Sequence, residues 1–210
     1  MKSFYLNIIL ALSLFLVGCQ KGDQTGETII LLGEETYIKP LDSFIPDSLQ
    51  VKFKQQMGNV AEGYIPPNIE GIYVQEPKVL VHSNFNEFIH SHEMYLKVVD
   101  QHNRTATVEV YDGGGVITDT AYIMGHDQYF TLYFTELKAM PSSAAYPWIL
   151  RDIIITGKKE EGGIRDLMYG TIIKQVPSSS SPWVVNFKPG HYYIYKDDDG
   201  FSENSDWPND

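Results

Sequence analysis

The sequence predicts an all-β fold, an eight-stranded antiparallel up-and-down barrel with one short N-terminal helix; a two-sheet β-sandwich is the alternative. Three observations carry this expectation. From Ile69 onward the apolar residues recur with period two. The apolar runs are joined by short connections at residues 101–103, 113–115, 125–127 and 160–163, which make antiparallel neighbours. Strands in series can also close on themselves, and closure removes the exposed edges of a long open sheet.

The first 18 residues read as a signal peptide and are set aside from the fold. Lys2 supplies the positive start, and residues 8–17 form an apolar run of ten, too short to span a hydrocarbon core of about 30 Å as a helix. The run ends Leu16-Val17-Gly18-Cys19, which resembles a bacterial lipobox, with Cys19 as the lipid-attachment residue. Two or three acyl chains, at roughly 0.8 kcal/mol per buried methylene, anchor a protein almost permanently. Cys19 is also the one cysteine of the chain. Its loss to lipid excludes disulfides, thiolate metal sites and cysteine nucleophiles from the folded part. Residues 19–39 then form the anchor and a flexible tether, with polar, Gly-containing residues 20–27 lifting the domain off the bilayer. Gln20 follows the cysteine where an inner-membrane retention signal would place Asp, so the expected address is the cell envelope at the outer membrane.

The barrel domain is expected over residues 40–203 and a tail over 204–210. Pro46 suits a first helical turn, Leu49, Phe53 and Met57 repeat every four residues, and Gly58 is a C-terminal stop, which predicts a helix of about three turns over 46–57. Pro66-Pro67 end it. The predicted strands are 70–76, 93–101, 104–112, 116–124, 128–138, 148–159, 163–175 and 190–196. In the fifth, Phe130, Leu132 and Phe134 face the core, while Tyr129, Thr131, Tyr133 and Thr135 face outward, where a tyrosine covers apolar surface with its hydroxyl in water. Residues 176–189, with four consecutive serines, read as a long loop.

Ile45-Pro46-Asp47-Ser48, then Pro66-Pro67-Asn68-Ile69-Glu70-Gly71-Ile72-Tyr73, then the tyrosine-rich last strand running into Lys196-Asp197-Asp198-Asp199-Gly200, together resemble a family of uncharacterised Bacteroidetes lipoproteins. Those proteins are similar to lipocalins, with a short N-terminal helix and a calycin-like barrel. Gly71 and Tyr73 sit where lipocalins carry Gly-x-Trp in the first strand. The resemblance implies a fold and an envelope address, and it carries over no catalytic residues.

With 16 Lys and Arg against 27 Asp and Glu, the net charge of −11 lacks the basic excess of a nucleic-acid binder. His90 and His92, with His82, His102 or His126 as a third ligand, form the most metal-like cluster, weighed against solvated loop histidines. Asp197, Asp199 and Gly200 mimic part of a calcium loop but fail its register, and read as a solvated acidic turn. No Gly-x-Ser-x-Gly elbow is present, Ser178 to Ser181 lie in a loop, and Gly113-Gly114-Gly115 joins two strands rather than opening a helix. The expectation is therefore a lipid-anchored protein that is not an enzyme, with no cofactor or metal, its barrel binding a small apolar or amphipathic molecule. The alternative is a filled barrel recognising a protein or glycan partner through exposed tyrosines. The state of the barrel interior separates the two.

Overall fold

β-Branched and aromatic residues alternating with polar ones give ten strands. They are β1 (Gly71–Gln75), β2 (Lys78–Ser83), β3 (Met94–His102), β4 (Thr105–Tyr111), β5 (Val116–His126), β6 (Tyr129–Ala139), β7 (Trp148–Glu160), β8 (Gly163–Gln175), β9 (Tyr192–Asp197) and β10 (Phe201–Glu203), preceded by one helix, α1 (Gln50–Gln56). The structure, a computed structural model, describes residues 40–85, 93–112, 115–139, 148–176 and 187–208. Cys19 and its flanking signal and tether lie outside these residues.

Strands β3 to β9 are joined in sequence order, each antiparallel to the next, while β1 pairs with β3 and β2 with β9. The two ends of the sheet are thus consecutive in the chain. Alternation around the sheet gives β1 and β2 the same direction, so they form one strand bent at Glu76-Pro77, its first half pairing with β3 and its second with β9. That bend brings the sheet round into a barrel. The eight expected strands are its eight staves, but the first extends to Ser83, because Pro77 offers no N–H to a ladder and interrupts the run.

β10, too short to show a period, pairs with the start of β8. Beyond it Asn204 bridges to Tyr73, and the Ser205 N–H donates to the Ile72 carbonyl at 2.9 Å. Trp207 lies against Tyr95, ring centroids 6.4 Å apart, with the Lys97 ammonium over its ring. The stretch expected as a tail from 204 is therefore packed on the barrel as far as Trp207.

The turns β3–β4, β5–β6 and β7–β8 share one end of the barrel, and residues 59–70 cross it. Gly63 and Ile65 exchange backbone hydrogen bonds with Gly125 (3.1 and 3.2 Å), and the Gln101 side chain accepts from the Ile69 N–H while donating to the Pro67 carbonyl. Gly71, at φ +148°, is required here: a Cβ would lie 2.8 Å from the Tyr73 hydroxyl, which folds back against it. Residues 86–92, 113–114, 140–147 and 177–186 lie outside the described residues.

The expected register holds. Phe130, Leu132 and Phe134 are buried in one cluster with Leu96, Val98, Val108, Ile123, Ile153, Ile155 and Ile164, all facing the barrel interior. The opposite face of this strand is not wet, which corrects the expectation for Tyr133. Tyr133 is fully buried in a second cluster, with Leu41, Phe44, Ile45, Phe53, Met57, Ile154, Ile172, Tyr192 and Ile194. The N-terminal segment lays its apolar stripe on the outside of the barrel, so the sheet there is covered on both sides. Phe44 packs edge-on against Tyr133, centroids 4.9 Å apart, and Phe53 against Tyr192 at 5.6 Å. Gly170 makes the close fit: a Cβ there would stand 2.7 Å from both Phe53 Cζ and Met57 Sδ.

The helix is shorter than expected, Gln50–Gln56 in place of 46–57. Leu49 donates to the Pro46 carbonyl in a separate turn, and Leu49 has no side chain that can cap the helix start. Gly58 follows its end at φ +69°, the left-handed stop the sequence predicts. Both clusters and every strand fall within one compact unit, Ile38–Asp210, which holds all that a domain needs to fold by itself.

Candidate functional site

Layers of inward side chains can be counted along β6 and β7 from the closed end. Phe130 pairs with Gly157, Leu132 with Ile155 and Phe134 with Ile153, which fills the lower barrel with apolar groups. The next step breaks the pattern, because Glu136 pairs with Arg151. Both are buried and ion-paired through Glu136 Oε2 and Arg151 Nε, and Arg151 Nη1 donates to the Tyr193 hydroxyl at 2.7 Å. A guanidinium cannot shed its proton, so a charge is held inside the barrel.

A second buried charge lies beside it. Lys78, 1 % exposed, forms an ion pair with Asp112 at the end of β4 and stands 4.4 Å from the ring centre of Tyr195 and 5.8 Å from that of Tyr169. Burial lowers the Lys78 pKa; the Asp112 charge opposes this and the nearby Arg151 reinforces it. Burial drives the phenols of Tyr169 and Tyr195 well above the ordinary tyrosine range, so both stay neutral hydroxyls. Gln75 Nε2 ties this wall together by donating to the Leu167 carbonyl at 2.7 Å.

Not every polar atom here is satisfied. Arg151 Nη2, the Tyr169 hydroxyl and Thr171 Oγ1 are buried without a hydrogen-bond partner. Thr171 pairs with Ile153 and Tyr169 with Ile155, so all three groups sit at inward positions on the neighbouring strands β7 and β8. Thr171 and Tyr169 are two residues apart along β8, about 7 Å. Buried polar groups are nearly always paired with protein, water or ligand, which makes these three the candidate polar site of the barrel. Toward the start of β5 and β7, inward positions include the apolar Ile117 and Ile149.

The sequence-predicted candidates lie elsewhere. Cys19, His90, His92 and Ser178 to Ser181 are outside the described residues. His82 is half-buried on β2, His102 and His126 are exposed, and among the described residues no group of His, Cys, Asp and Glu is placed to hold a metal ion. The turn after β9 is not a solvated acidic loop throughout. Asp197 is buried, accepts from Ser202 Oγ at 2.9 Å and has its pKa raised by burial, because it sits at an inward position opposite Lys78; Asp198 and Asp199 are exposed. The charged cluster itself escaped sequence reading, although one signal was there: Glu136 continues the row of Phe130, Leu132 and Phe134 at the buried parity.

At the closed end, the Tyr73 hydroxyl lies within hydrogen-bond distance of the Ile69 and Glu70 carbonyls (3.0 and 3.1 Å), its pKa pushed up to about 12 by burial. The Lys159 ammonium covers its ring at 4.8 Å. These contacts seal the floor. A surface depression of about 180 Å³ lined by Asn59, Val60, Ala61, His126 and Tyr129 flanks the same end. No described helix is long and apolar enough to cross a membrane. Comparison with family models, with curated proteins and with solved structures finds no match.

Proposed function

We propose that this chain is a lipid-anchored envelope protein, held at the outer membrane through Cys19, whose barrel binds a small amphipathic molecule and carries out no catalysis. One observation carries the reading: the barrel interior holds two buried ion pairs and, beside them, polar groups with no protein partner. Charges and orphaned hydroxyls are costly in a core, where apolar side chains of the same volume are often as stable or more so. In this reading the polar end of the ligand meets the cluster.

The packed floor also supports a second reading, a barrel that serves as a rigid scaffold for a protein or glycan partner. Native mass spectrometry of the lipidated protein extracted from the bacterial envelope in detergent distinguishes them. A discrete small-molecule adduct that disappears on denaturation is expected; a bare protein mass in every preparation would favour the scaffold. The anchor is tested separately by intact mass. Membrane-extracted protein should begin at Cys19 and carry acyl chains, and Cys19→Ala should abolish that processed mass.

A further inference from the structure

We infer that the ligand presents to this cluster an uncharged, oxygen-bearing head, a carbonyl and hydroxyl set such as that of a monoacylglycerol, rather than a carboxylate or phosphate. The inference rests on the binding role proposed above and narrows it to one chemical class.

Charge balance is the first argument. Lys78 already faces Asp112 and Arg151 already faces Glu136, while Asp197 sits opposite Lys78 in the register. Both cations are spoken for. An anionic head would therefore enter a buried cluster with no uncompensated positive charge to receive it, and an unpaired buried charge is among the most costly arrangements in a protein. A phosphate dianion would fare worse than a carboxylate.

Hydrogen-bond demand is the second. The open groups are a guanidinium N–H at Arg151 Nη2, the hydroxyls of Tyr169 and Thr171, and the amide oxygen of Gln75 on the same wall, which only accepts. The N–H only donates, whereas each hydroxyl both donates and accepts. A carboxylate only accepts, so it can serve the N–H and the hydroxyls but leaves the Gln75 oxygen unmet. A head with a carbonyl and a hydroxyl can accept from Arg151 and exchange bonds with Tyr169 and Thr171. Its apolar part then runs toward Ile149 and Ile117.

The test is a calorimetric titration of the Ile38–Asp210 unit at neutral pH with three probes of equal chain length: 1-monooctanoylglycerol, octanoate and octyl phosphate, all below their micelle concentrations. The monoglyceride should bind most tightly. Tyr169→Phe and Thr171→Val each delete an orphaned hydroxyl without changing shape, so stability should hold or rise while monoglyceride binding weakens about 3- to 10-fold. Octanoate or octyl phosphate binding as well as the monoglyceride would overturn the head assignment and leave the binding role standing. Undiminished monoglyceride binding by both variants would also overturn it, by placing the ligand elsewhere. If none of the probes binds, the orphaned groups hold ordered water only, and both the head assignment and the amphipathic-ligand role fall.

Discussion

Two neighbouring aromatics, Phe134 and Tyr133, test how the barrel is covered. Phe134 faces the interior at 1 % exposure, and Tyr133 faces the N-terminal segment at 0 %. Phe134→Ala should cost about 3–5 kcal/mol, the usual range for emptying a buried aromatic site. A solvent-facing tyrosine would cost little, but Tyr133 packs against Phe44 at 4.9 Å and Tyr122 at 5.6 Å, so Tyr133→Ala should also fall at about 3–5 kcal/mol. Either is a large part of a typical total of about 5–15 kcal/mol. Urea unfolding measures both. A double-mutant cycle of Tyr133→Ala with Phe44→Ala should return about 0.5–1.5 kcal/mol of coupling, which ties the Tyr133 loss to the covering segment. A Tyr133→Ala cost below about 1 kcal/mol beside a full Phe134→Ala loss would refute the reasoning, because the N-terminal segment would then not cover this face in solution.

Three further outcomes follow from the same geometry. Lys78→Met alone strands Asp112 and should destabilise by about 3–5 kcal/mol, whereas Lys78→Met with Asp112→Leu should recover most of it in chemical unfolding. Gly170→Ala should loosen the N-terminal segment from the barrel, seen as faster proteolysis or amide exchange around residues 50–57 with the strands still protected, because its Cβ would meet Phe53 and Met57 at 2.7 Å. Alkali should unfold the protein steeply. Burial raises Tyr73 and Tyr133 to about 12 and Tyr169 and Tyr195 further, from an unfolded value of 10.0, so the folded state keeps protons that the unfolded state releases. Their stabilisation is complete below pH 10 and is lost as pH rises toward the folded values, at about 1.4 kcal/mol per pH unit for each tyrosine. Stability unchanged between pH 9 and 11.5 would contradict their burial.

Strand positions and inward rows were legible in the sequence because both are set locally: side chains alternate across a strand, so a run such as Phe130-Thr131-Leu132-Tyr133-Phe134 declares its register by itself. The same locality marked the stop at Gly58 and the up-and-down order, since short connections admit only antiparallel neighbours. Alternation says which side a residue takes and nothing of what covers that side. The burial of Tyr133 was therefore decided by the N-terminal segment folding back over a stave some 80 residues later, a contact with no local signature. The charged cluster has the same origin. Lys78 and Asp112 are 34 residues apart, and Glu136 and Arg151 are 15 apart, and only closure of the barrel brings the two pairs to one interior. Read singly, each is a charge on a strand that solvent would normally take; the closed sheet removes the solvent, and with it the option of leaving them unpaired.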